Sequence, residues 1–438
     1  MKKICVVGTG YVGLVTAAGL ADFGNSVIGA DIDESKIKIL QDGGIPIYEP
    51  GLLEIVERNV KAGRLSFTTD IDTAIQKSDV VFSAVGTPPG EGGEADLKAV
   101  WTVATSFAEN LNNYKVFINK STVPIGTGKK TWELIKEKSG GKNCFDVVSN
   151  PEFLREGSSV GDFLNPDRVV VGSRSKKAQA TMKDVYHALI IRGVHYVETN
   201  IESAELIKYA SNAFLATKIT FINEMANLCD VVGADVQEVA RAMGLDSRIS
   251  PKFLRPGPGY GGSCFPKDTL ALVEIFKEHN VITRLVEATI EANEHQKQAV
   301  VDKLRSVMPD LKGKTIAILG LAFKPETDDT RFSPTKIVIP ILEQEGAKVQ
   351  VYDPVAADDF KRDFPDLDYK KDAYDAITGA DALILMTEWN EFRSLDLKRV
   401  KSLLKSPIFI DTRNIYDPHV MKEKGFTYVC TGRTKCSY

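Results

Sequence analysis

The hydrophobic residues of the first 150 positions fall in short, β-branched runs that alternate with helical patterns. These runs lie at Ile4–Val7, Ser26–Asp31, Val80–Val85, Lys115–Asn119 and Asp146–Ser149. Strands that alternate with helices along a chain predict a parallel sheet with helices on both faces. We therefore predict that residues 1–200 form an α/β domain.

The hydrophobic period changes after residue 200. Apolar residues from Leu206 to Met225 recur at intervals of three and four, which predicts one long helix from Glu202 to about Gly233. A glycine-rich loop at Pro256–Gly262 follows, and the pattern is then helical from Thr269 to about Met308. We expect residues 201–308 to form a central helical region.

A second α/β pattern occupies residues 309–438. Its strand-like runs lie at Thr315–Leu319, Lys348–Tyr352, Ala382–Met386 and Ile408–Ile410. The segment Ile316–Phe323 weakly echoes the segment Ile4–Tyr11, which suggests a repeated nucleotide-binding plan. The predicted fold class is α/β, with two Rossmann-like doubly wound domains joined by a central helical region that contains a long helix.

Composition and charge narrow the classes of ligand. The 438 residues carry 55 Lys and Arg against 59 Asp and Glu, a formal net charge of -4, and the sequence pI is about 5.9. Such a chain has no global attraction to nucleic acid or anionic lipid, so an anionic ligand needs a local site. No run approaches the roughly 18 apolar residues of a membrane-spanning helix. We expect a cytoplasmic protein that binds neither nucleic acid nor membrane.

The six cysteines lack the paired spacing of a zinc site or a disulfide framework. We therefore predict reduced thiols and no metal site. Cys430 and Cys436 lie close together in sequence, but the expected reducing compartment argues against a disulfide between them.

A glycine motif, Gly8-Thr-Gly10-Tyr11-Val12-Gly13, follows the first predicted strand. Glycines at these positions allow a tight turn, close approach of the backbone to a pyrophosphate and close helix packing. Asp31 lies 18 residues after Gly13, where a carboxylate binds a ribose diol and repels a 2′-phosphate, so NAD is favoured over NADP. The alternative is an ordinary tight turn with Asp31 as a helix cap. Lys36 either approaches the adenosine ribose or belongs to a solvated helix face.

Cys264 lies in the glycine-rich segment Gly257–Asp268. Four glycines let this backbone fold tightly against a ligand and present a side chain. Lys267 and a helix start near Asp268 favour the thiolate, which is the form that attacks a carbonyl carbon. The alternative is an inert, buried thiol.

Two further groups of polar residues are candidates for a site, one on the predicted long helix and one after a predicted strand. Lys208 and Asn212 are four residues apart, so they lie on one helix face. They either serve a site or belong to a solvated stripe in which Glu205 pairs with Lys208. The segment Asn150–Glu156 follows a strand end, where open α/β sheets bind ligands, although its carboxylates alternatively cap a helix.

These motifs together resemble the UDP-glucose/GDP-mannose dehydrogenase family over essentially the whole chain. The resemblance rests on the motifs at residues 8–13, 120–124, 150–157, 259–268 and 321–331, and on Lys208 with Asn212. It implies an NAD-binding domain at 1–200, a central helical dimerisation domain at 201–308 and a UDP-sugar-binding domain at 309–438. It also implies a homodimer, with higher association left open.

The resemblance further implies a set of site residues. Cys264 would be the nucleophile, Lys208 and Asn212 would hold the oxyanion, Asp268 would support proton movement, and Thr122 with Glu152 would position water. The implied NAD contacts are Gly8, Gly10, Tyr11, Val12, Gly13, Asp31, Lys36, Thr87, Thr122, Glu156, Lys267 and Arg331. The implied substrate contacts are Glu152, Phe153, Leu154, Arg155, Glu156, Lys208, Asn212, Arg248 from the neighbouring subunit, Phe253, Leu254, Arg255, Pro256, Gly257, Gly261, Lys324 and, at the uridine end, Arg413. Arg155 stands where some relatives carry a small residue.

The implied reaction oxidises C6 of UDP-glucose to UDP-glucuronate with two NAD⁺, through a thiohemiacetal and a thioester on Cys264. GDP-mannose or a UDP-N-acetylhexosamine is the alternative substrate. A two-electron dehydrogenase of the 6-phosphogluconate or hydroxyacid type shares the glycine motif but needs no cysteine. A non-catalytic, NAD-responsive regulatory protein is disfavoured because Cys264, Lys208, Asn212 and Asp268 are all present.

Overall fold

The structure is a computed structural model that describes residues 1–90 and 94–433. The chain divides into two compact units, residues 1–211 and 212–438. Each unit contains one large α/β sheet, and a helix of 32 residues spans the division. The predicted α/β class with two Rossmann-like sheets and a long helix is confirmed. The proposed domain boundaries at residues 200 and 308 stay a prediction.

The sheet of the first unit has eight strands in the described residues, in the order β3-β2-β1-β4-β5-β6-β7-β8. The strands are β1 (Lys3–Val7), β2 (Ser26–Ala30), β3 (Leu65–Thr68), β4 (Val80–Ser83), β5 (Lys115–Asn119), β6 (Phe145–Ser149), β7 (Arg168–Gly172) and β8 (His195–Thr199). The first six are parallel, β7 is antiparallel to β6, and β8 is parallel to β7. Strands β3, β7 and β8 are not among the runs that the hydrophobic pattern predicted.

Helices cover this sheet, which explains why its central strands are continuous apolar runs. In β1, residues Ile4–Val7 are at most 2% exposed. The helices are α1 (Tyr11–Asp22), α2 (Glu34–Gln41), α3 (Leu52–Lys61), α4 (Ile71–Gln76), α5 (Lys98–Glu109), α6 (Thr127–Lys138), α7 (Ser159–Leu164), α8 (Lys176–Val185) and α9 (His187–Ile191).

The long helix α10 (Ile201–Val232) begins and ends within one residue of the prediction. The helices α11 (Val236–Gly244), α12 (Phe265–Glu278) and α13 (Leu285–Arg305) follow it. The single helical pattern predicted from Thr269 to Met308 is wrong in one respect, because residues 279–284 separate α12 from α13. Asn280 in that break has a φ of 55°, a left-handed conformation that ends a helix.

The sheet of the second unit is wholly parallel, in the order β11-β10-β9-β12-β13-β14. Its strands are β9 (Thr315–Leu319), β10 (Lys348–Tyr352), β11 (Asp368–Tyr369), β12 (Ala382–Leu385), β13 (Ile408–Asp411) and β14 (Thr427–Cys430). Its helices are α14 (Thr335–Gln344), α15 (Ala357–Phe360), α16 (Ala373–Ile377), α17 (Asn390–Arg393), α18 (Leu397–Leu403) and α19 (Pro418–Glu423). The sequence echo between the two units falls on β1 and β9, which are equivalent strands of the two sheets.

Three further observations concern the residues that the structure describes. None of their helices is both long enough and apolar enough to cross a membrane. They contain no group of His, Cys, Asp or Glu side chains with the arrangement of a metal site. None of their five cysteines forms a disulfide with another described cysteine, and Cys436 lies outside the described residues, so the absence of a Cys430–Cys436 disulfide stays a prediction.

Candidate active site

The turn between β1 and α1 leaves an open space beside Gly10. A Cβ atom on Gly13 would lie 1.8 Å from the carbonyl oxygen of Gly8, and one on Gly8 would lie 2.7 Å from the carbonyl oxygen of Ala84, so packing requires both glycines. A Cβ on Gly10 would meet nothing within 4 Å. Packing therefore does not require Gly10, and the space beside it agrees with the predicted pyrophosphate site at the N-terminus of α1.

Asp31 follows β2 and faces the same turn. Its Oδ2 accepts hydrogen bonds from the Thr9 backbone N–H at 2.6 Å and the Thr9 hydroxyl at 2.9 Å. The interpretation of Asp31 as a helix cap is wrong, because Asp33 caps α2 by accepting from the backbone of Ser35 and Lys36. The open turn and this carboxylate fit the pyrophosphate and ribose of a dinucleotide.

The other residues predicted to contact NAD in the first unit lie at strand ends and nearby loops. The Thr87 hydroxyl, after β4, donates to the carbonyl oxygen of Thr122, after β5, at 3.0 Å. Lys36 lies 3.7 Å from Asp33 on the surface, which agrees with the solvated alternative, and its adenosine contact stays a prediction. Val12 lies on the first turn of α1, and Glu156 lies in the loop after β6.

Glu49 links the glycine motif to the loop after β6, and the sequence did not predict it. The Tyr11 hydroxyl donates to its carboxylate at 2.6 Å, and the backbone N–H groups of Gly157 and Ser159 donate at 2.7 and 2.8 Å. Burial and the hydrogen bond to Glu49 raise the pKa of Tyr11. The partners lie up to 110 residues apart, so no local pattern reveals them.

Lys208 and Glu152 form a buried ion pair. Their Nζ and Oε1 atoms are 2.7 Å apart, and the residues are 3% and 5% exposed. Burial tends to raise the pKa of Glu152, but Lys208, the Leu154 backbone N–H and Lys120 outweigh it, so the pKa is lowered. Glu152 is therefore a carboxylate at neutral pH.

Lys120 adds a second buried amine to this part of the first unit. Its Nζ donates to Asn150 at 3.2 Å, and burial lowers the pKa of Lys120 to about 8, with Lys208 contributing. Its motif supported the resemblance, but the sequence assigned it no role. The Phe153 ring lies close to two cations, with the Arg168 guanidinium 3.8 Å and the Lys208 ammonium 5.5 Å from its centroid.

Glu205 does not pair with Lys208, so the solvated-stripe interpretation is wrong. Its carboxylate accepts from the backbone N–H groups of Gly126 and Gly128, at 2.7 Å each, and from the Ser149 hydroxyl. These contacts place it at the N-terminus of α6, and burial raises the pKa of Glu205 to about 7.

In the second unit, Cys264 is the residue before the first turn of α12. It is half-buried, and its Sγ lies 3.5 Å from the Ser263 hydroxyl. Burial raises the pKa of the Cys5 and Cys430 thiols to about 12. Cys264 instead lies at a helix N-terminus, where the helix dipole stabilises an anion, and this position agrees with the prediction of a reactive thiol.

Asp268 lies on the first turn of α12, four residues after Cys264. The Asn212 amide donates to one of its oxygens at 2.6 Å, and the Lys267 ammonium donates to the other at 2.6 Å. Asp268 is 1% exposed. The structure thus brings together three of the predicted residues of the second unit in one buried chain of charge-assisted hydrogen bonds.

Several predicted substrate contacts of the second unit also converge. A Cβ on Gly257 would lie 3.0 Å from the Arg413 guanidinium, which donates to the carbonyl oxygen of Phe323 at 2.9 Å. Gly261 abuts the carbonyl oxygen of Phe332, next to Arg331, which pairs with Asp329 at 2.8 Å. Lys324 lies beside the Phe323 ring.

The remaining predicted substrate contacts are placed less closely together. Arg155 pairs with Asp162, and Arg248 pairs with Asp246 at 2.6 Å with its side chain 87% exposed. Phe253, Leu254, Arg255 and Pro256 precede Gly257 in one loop, in which Leu254 and Pro256 are buried and Arg255 is exposed. Their roles stay predictions.

The fold and these residues define a class of protein. Doubly wound sheets, an open glycine turn with a carboxylate at the end of the next strand, and a cysteine at a helix start beside a buried Asn–Asp–Lys chain are features of an NAD-dependent oxidoreductase. Sequence comparison narrows the class. The NAD binding, central and UDP binding domains of one family match residues 2–190, 202–295 and 317–418. The chain belongs to the UDP-glucose/GDP-mannose dehydrogenase family.

Individual relatives agree with this assignment. The chain is 52% identical to the UDP-glucose 6-dehydrogenase TuaD of Bacillus subtilis, over 99% of this chain and 94% of the relative. A solved UDP-glucose dehydrogenase from Pyrobaculum islandicum superposes with a TM-score of 0.91 at 36% identity, covering 98% and 97% of the two chains. A UDP-D-ManNAc dehydrogenase from Pyrococcus horikoshii superposes with a TM-score of 0.86 at 28% identity, covering 99% of both chains.

Proposed function

We propose that the protein oxidises UDP-glucose to UDP-glucuronate with two NAD⁺, through covalent catalysis by Cys264. The observation that carries the proposal is the half-buried Cys264 at the start of α12, four residues before the Asp268 that Asn212 and Lys267 hold. A two-electron alcohol dehydrogenase needs no such nucleophile. An enzyme that carries an aldehyde on to an acid does.

The electron balance requires two oxidations. The C6 alcohol loses two electrons to give an aldehyde, and attack by the Cys264 thiolate on that aldehyde gives a thiohemiacetal. Loss of a hydride from the thiohemiacetal gives a thioester, which water cleaves to the carboxylate and the free thiol. When bound, NAD⁺ supplies the hydride acceptor, once for each oxidation.

Lys208 and Asn212 are proposed to stabilise the oxyanions of thiolate attack and of thioester hydrolysis. They lie one turn apart on α10, and each offers N–H donors. One N–H of Asn212 already donates to Asp268, and the second is assigned to the oxyanion. A preorganised donor of this kind lowers the activation free energy by about 3 kcal/mol. Asp268, held by Lys267, supports the movement of the thiol proton.

Glu152 is proposed to activate the water that cleaves the thioester, and Thr122 to orient it. The lowered pKa of Glu152 keeps it ionised, so that it can accept a hydrogen bond from water. Lys208 holds its orientation at 2.7 Å. The remaining predicted contacts keep the cofactor and substrate roles that the resemblance implies.

UDP-glucose is proposed as the substrate because relatives with that activity in their name are more similar to this chain than the UDP-D-ManNAc dehydrogenase is. Among solved structures, the UDP-glucose dehydrogenase is 36% identical with a TM-score of 0.91, against 28% and 0.86 for the UDP-D-ManNAc dehydrogenase. The match to this family's UDP binding domain supports a nucleotide-sugar site within residues 317–418. The two NAD⁺ and the nucleotide sugar favour the cytoplasm as the compartment.

The direct test is the yield of NADH with limiting UDP-glucose, measured beside GDP-mannose and UDP-N-acetylglucosamine. We expect two NADH and one UDP-glucuronate per UDP-glucose. One NADH per substrate would contradict four-electron chemistry, and activity with only another sugar would move the substrate within the family. Cys264→Ser is the matched variant, and it should bind NAD but form no acid.

We further propose that the protein acts as a homodimer through α10. Phe214, Phe221 and Leu228 recur at seven-residue intervals and are 65%, 43% and 52% exposed, and Val231 and Val232 extend the stripe. An apolar stripe of this length on one helix face is typical of a helix–helix interface between copies. Light scattering of Phe221→Glu, compared with the wild type, tests the proposal. A wild-type monomer would contradict it.

A further inference from the structure

The loop that leads to Cys264 has buried backbone groups but no strand beside it. Residues 256–262 are buried, and they lie outside every helix and strand of the described residues. Buried backbone N–H and C=O groups require partners, because each unsatisfied group costs about 1–3 kcal/mol. The source of those partners therefore determines where the loop lies.

Side-chain amides on two helices supply the partners of Gly257. Its N–H donates to Asn223 Oδ1, on α10, at 2.8 Å, and its carbonyl oxygen accepts from Gln296 Nε2, on α13, at 2.8 Å. Asn227 on α10 donates to Gln296 Oε1 at 2.8 Å, which fixes the direction in which Gln296 presents its NH₂ group.

A third amide holds Tyr260 in the manner of a neighbouring strand. The Tyr260 N–H donates to Asn293 Oδ1 at 2.7 Å, and Asn293 Nδ2 donates back to the Tyr260 carbonyl oxygen at 3.2 Å. Gly259, between the two held residues, has a φ of +107°, and a Cβ there would lie 3.0 Å from Asn293 Oδ1. Asn223, Asn293 and Gln296 are each at most 4% exposed.

The chain then passes from these contacts to Cys264 with little freedom. The N–H of Gly262 donates to the carbonyl oxygen of Arg331 at 2.8 Å, and a Cβ on Gly262 would lie 2.6 Å from the Phe323 ring. Cys264 follows two residues later, and its carbonyl oxygen accepts the first hydrogen bond of α12, from Asp268.

We propose that Asn223, Asn293 and Gln296 form an amide clamp that positions the Cys264 thiol through the loop 257–262. They are positioning residues, since they touch the loop and not the reacting sulfur. The proposal rests on the role of Cys264 as the nucleophile. A displacement of about 1 Å at a reacting atom costs roughly a hundredfold in rate, so loosening the clamp should slow thiol attack more than it weakens binding.

The test is the rate at which iodoacetamide alkylates Cys264, followed by peptide mapping across a range of pH, beside kcat and KM. Asn293→Asp keeps the shape of the side chain but removes the donor to Tyr260 and places a carboxylate against its carbonyl oxygen. Gln296→Met keeps the length of the side chain but removes both hydrogen bonds. Asn59→Ala is the control, because Asn59 is an equally buried carboxamide of the first unit.

We expect Asn293→Asp and Gln296→Met to change the Cys264 alkylation rate and to lower kcat, each by about tenfold or more, while the KM for NAD is unchanged. Asn59→Ala should lower stability without changing the alkylation rate. Wild-type alkylation rates and pH profiles in both clamp variants would overturn the proposal. If Asn293→Asp does not fold, Gln296→Met decides alone. An absence of UDP-glucose oxidation by the wild type would overturn the proposed function, whereas alkylation would still test the clamp.

Discussion

The first six strands of one sheet have the same order as the six strands of the other, but the two sheets differ at the end of their first strand. In the first unit, Gly8 donates to Ala30, and Asp31 after β2 accepts from Thr9. In the second unit, Gly320 donates to Tyr352, and Asp353 after β10 accepts from Leu321 in the same way. The two turns are therefore equivalent in their hydrogen bonds up to this point.

The difference lies in where the next helix begins. Helix α1 begins at Tyr11, three residues after Gly8, so its N-terminus faces the open space beside Gly10. Helix α14 begins at Thr335, fifteen residues after Gly320, so a loop separates the first strand of this sheet from the next helix. Within the part of the chain that the structure describes, the second sheet therefore keeps the topology of a dinucleotide-binding fold, but no helix N-terminus directly follows its first strand.

The two carboxylates show the same difference. Asp31 has three donors and is half-buried, whereas Asp353 is 3% exposed and accepts from the backbone of Leu321, Ala322, Val355 and Ala356 and from the Trp389 indole. The carboxylate that is proposed to bind a ribose in the first sheet corresponds to a buried, structural carboxylate in the second. Fold alone therefore does not identify the cofactor site.

The largest expected effect is on stability, at Asp353. Asp353→Ala leaves five buried or partly buried donors without their acceptor, and we expect it to lower the free energy of unfolding by about 4 kcal/mol. Asp31→Ala should lower it by about 1 kcal/mol, because its site is partly hydrated. Urea unfolding followed by tryptophan fluorescence measures both. Equal losses would contradict the distinction between a binding and a structural carboxylate.

A second buried carboxylate, Glu205, extends the comparison to the start of α6. Its native pKa of about 7 exceeds the ordinary value of 4.5, so the folded state holds an extra proton between these values. The stabilisation is complete below pH 4.5 and is lost as the pH rises through 7. Relative to Glu205→Gln, the wild type should lose about 3 kcal/mol of unfolding free energy across this window. Parallel pH profiles of the two proteins would show that Glu205 does not titrate there.

A matched pair of glycine substitutions tests the two turns directly. Gly10→Ala should weaken NAD binding about tenfold, with unfolding unchanged, because its Cβ enters the open space of the ligand. Gly320 has a φ of +101°, and its Cβ would lie 2.5 Å from Thr387. Gly320→Ala should therefore cost about 2 kcal/mol of stability and leave the NAD Kd unchanged. Calorimetric titration measures NAD binding, and thermal unfolding measures stability. Weakened NAD binding by Gly320→Ala would contradict the proposal that only the first turn binds NAD.

The smallest expected effect concerns the choice between NAD and NADP. Asp31→Asn removes the charge that repels a 2′-phosphate but keeps an acceptor for Thr9, so the preference for NAD should fall by about 1 kcal/mol. The ratio of the two Kd values is the measurement. An unchanged ratio would show that groups other than the Asp31 carboxylate discriminate between NAD and NADP.

Sequence patterns predicted the parts of the fold and site that depend on local periodicity or on contiguous motifs. The central strands are apolar on both faces, and α10 keeps a helical period for 32 residues. By contrast, β3 has only four residues, and β8 is largely exposed, so neither produces a strong apolar run. The break between α12 and α13 depends on a left-handed Asn280 that a helical pattern does not reveal.

The remaining site residues escaped prediction because their partners are distant in sequence. Asn293 is 33 residues from Tyr260, and Glu49 is 108 residues from Gly157. Asn293 lies on α13 and Glu49 lies in the loop between α2 and α3, and neither local pattern indicates these distant partners. The sequence left open whether Lys208 pairs with Glu205. In the structure its partner is Glu152, and Glu205 binds the backbone of α6.

In the proposed mechanism, Cys264 carries the substrate as a thioester. Glu152→Gln removes the carboxylate proposed to activate water, so the thioester should accumulate when this variant is given UDP-glucose and NAD⁺. The measurement is the mass of the Cys264 peptide after rapid acid quenching. We expect a UDP-glucuronyl adduct on Cys264 that is absent from Cys264→Ser. Formation of UDP-glucuronate by Cys264→Ser would contradict the thioester mechanism. An unmodified Cys264 in a Glu152→Gln protein that still forms UDP-glucuronate would contradict it as well.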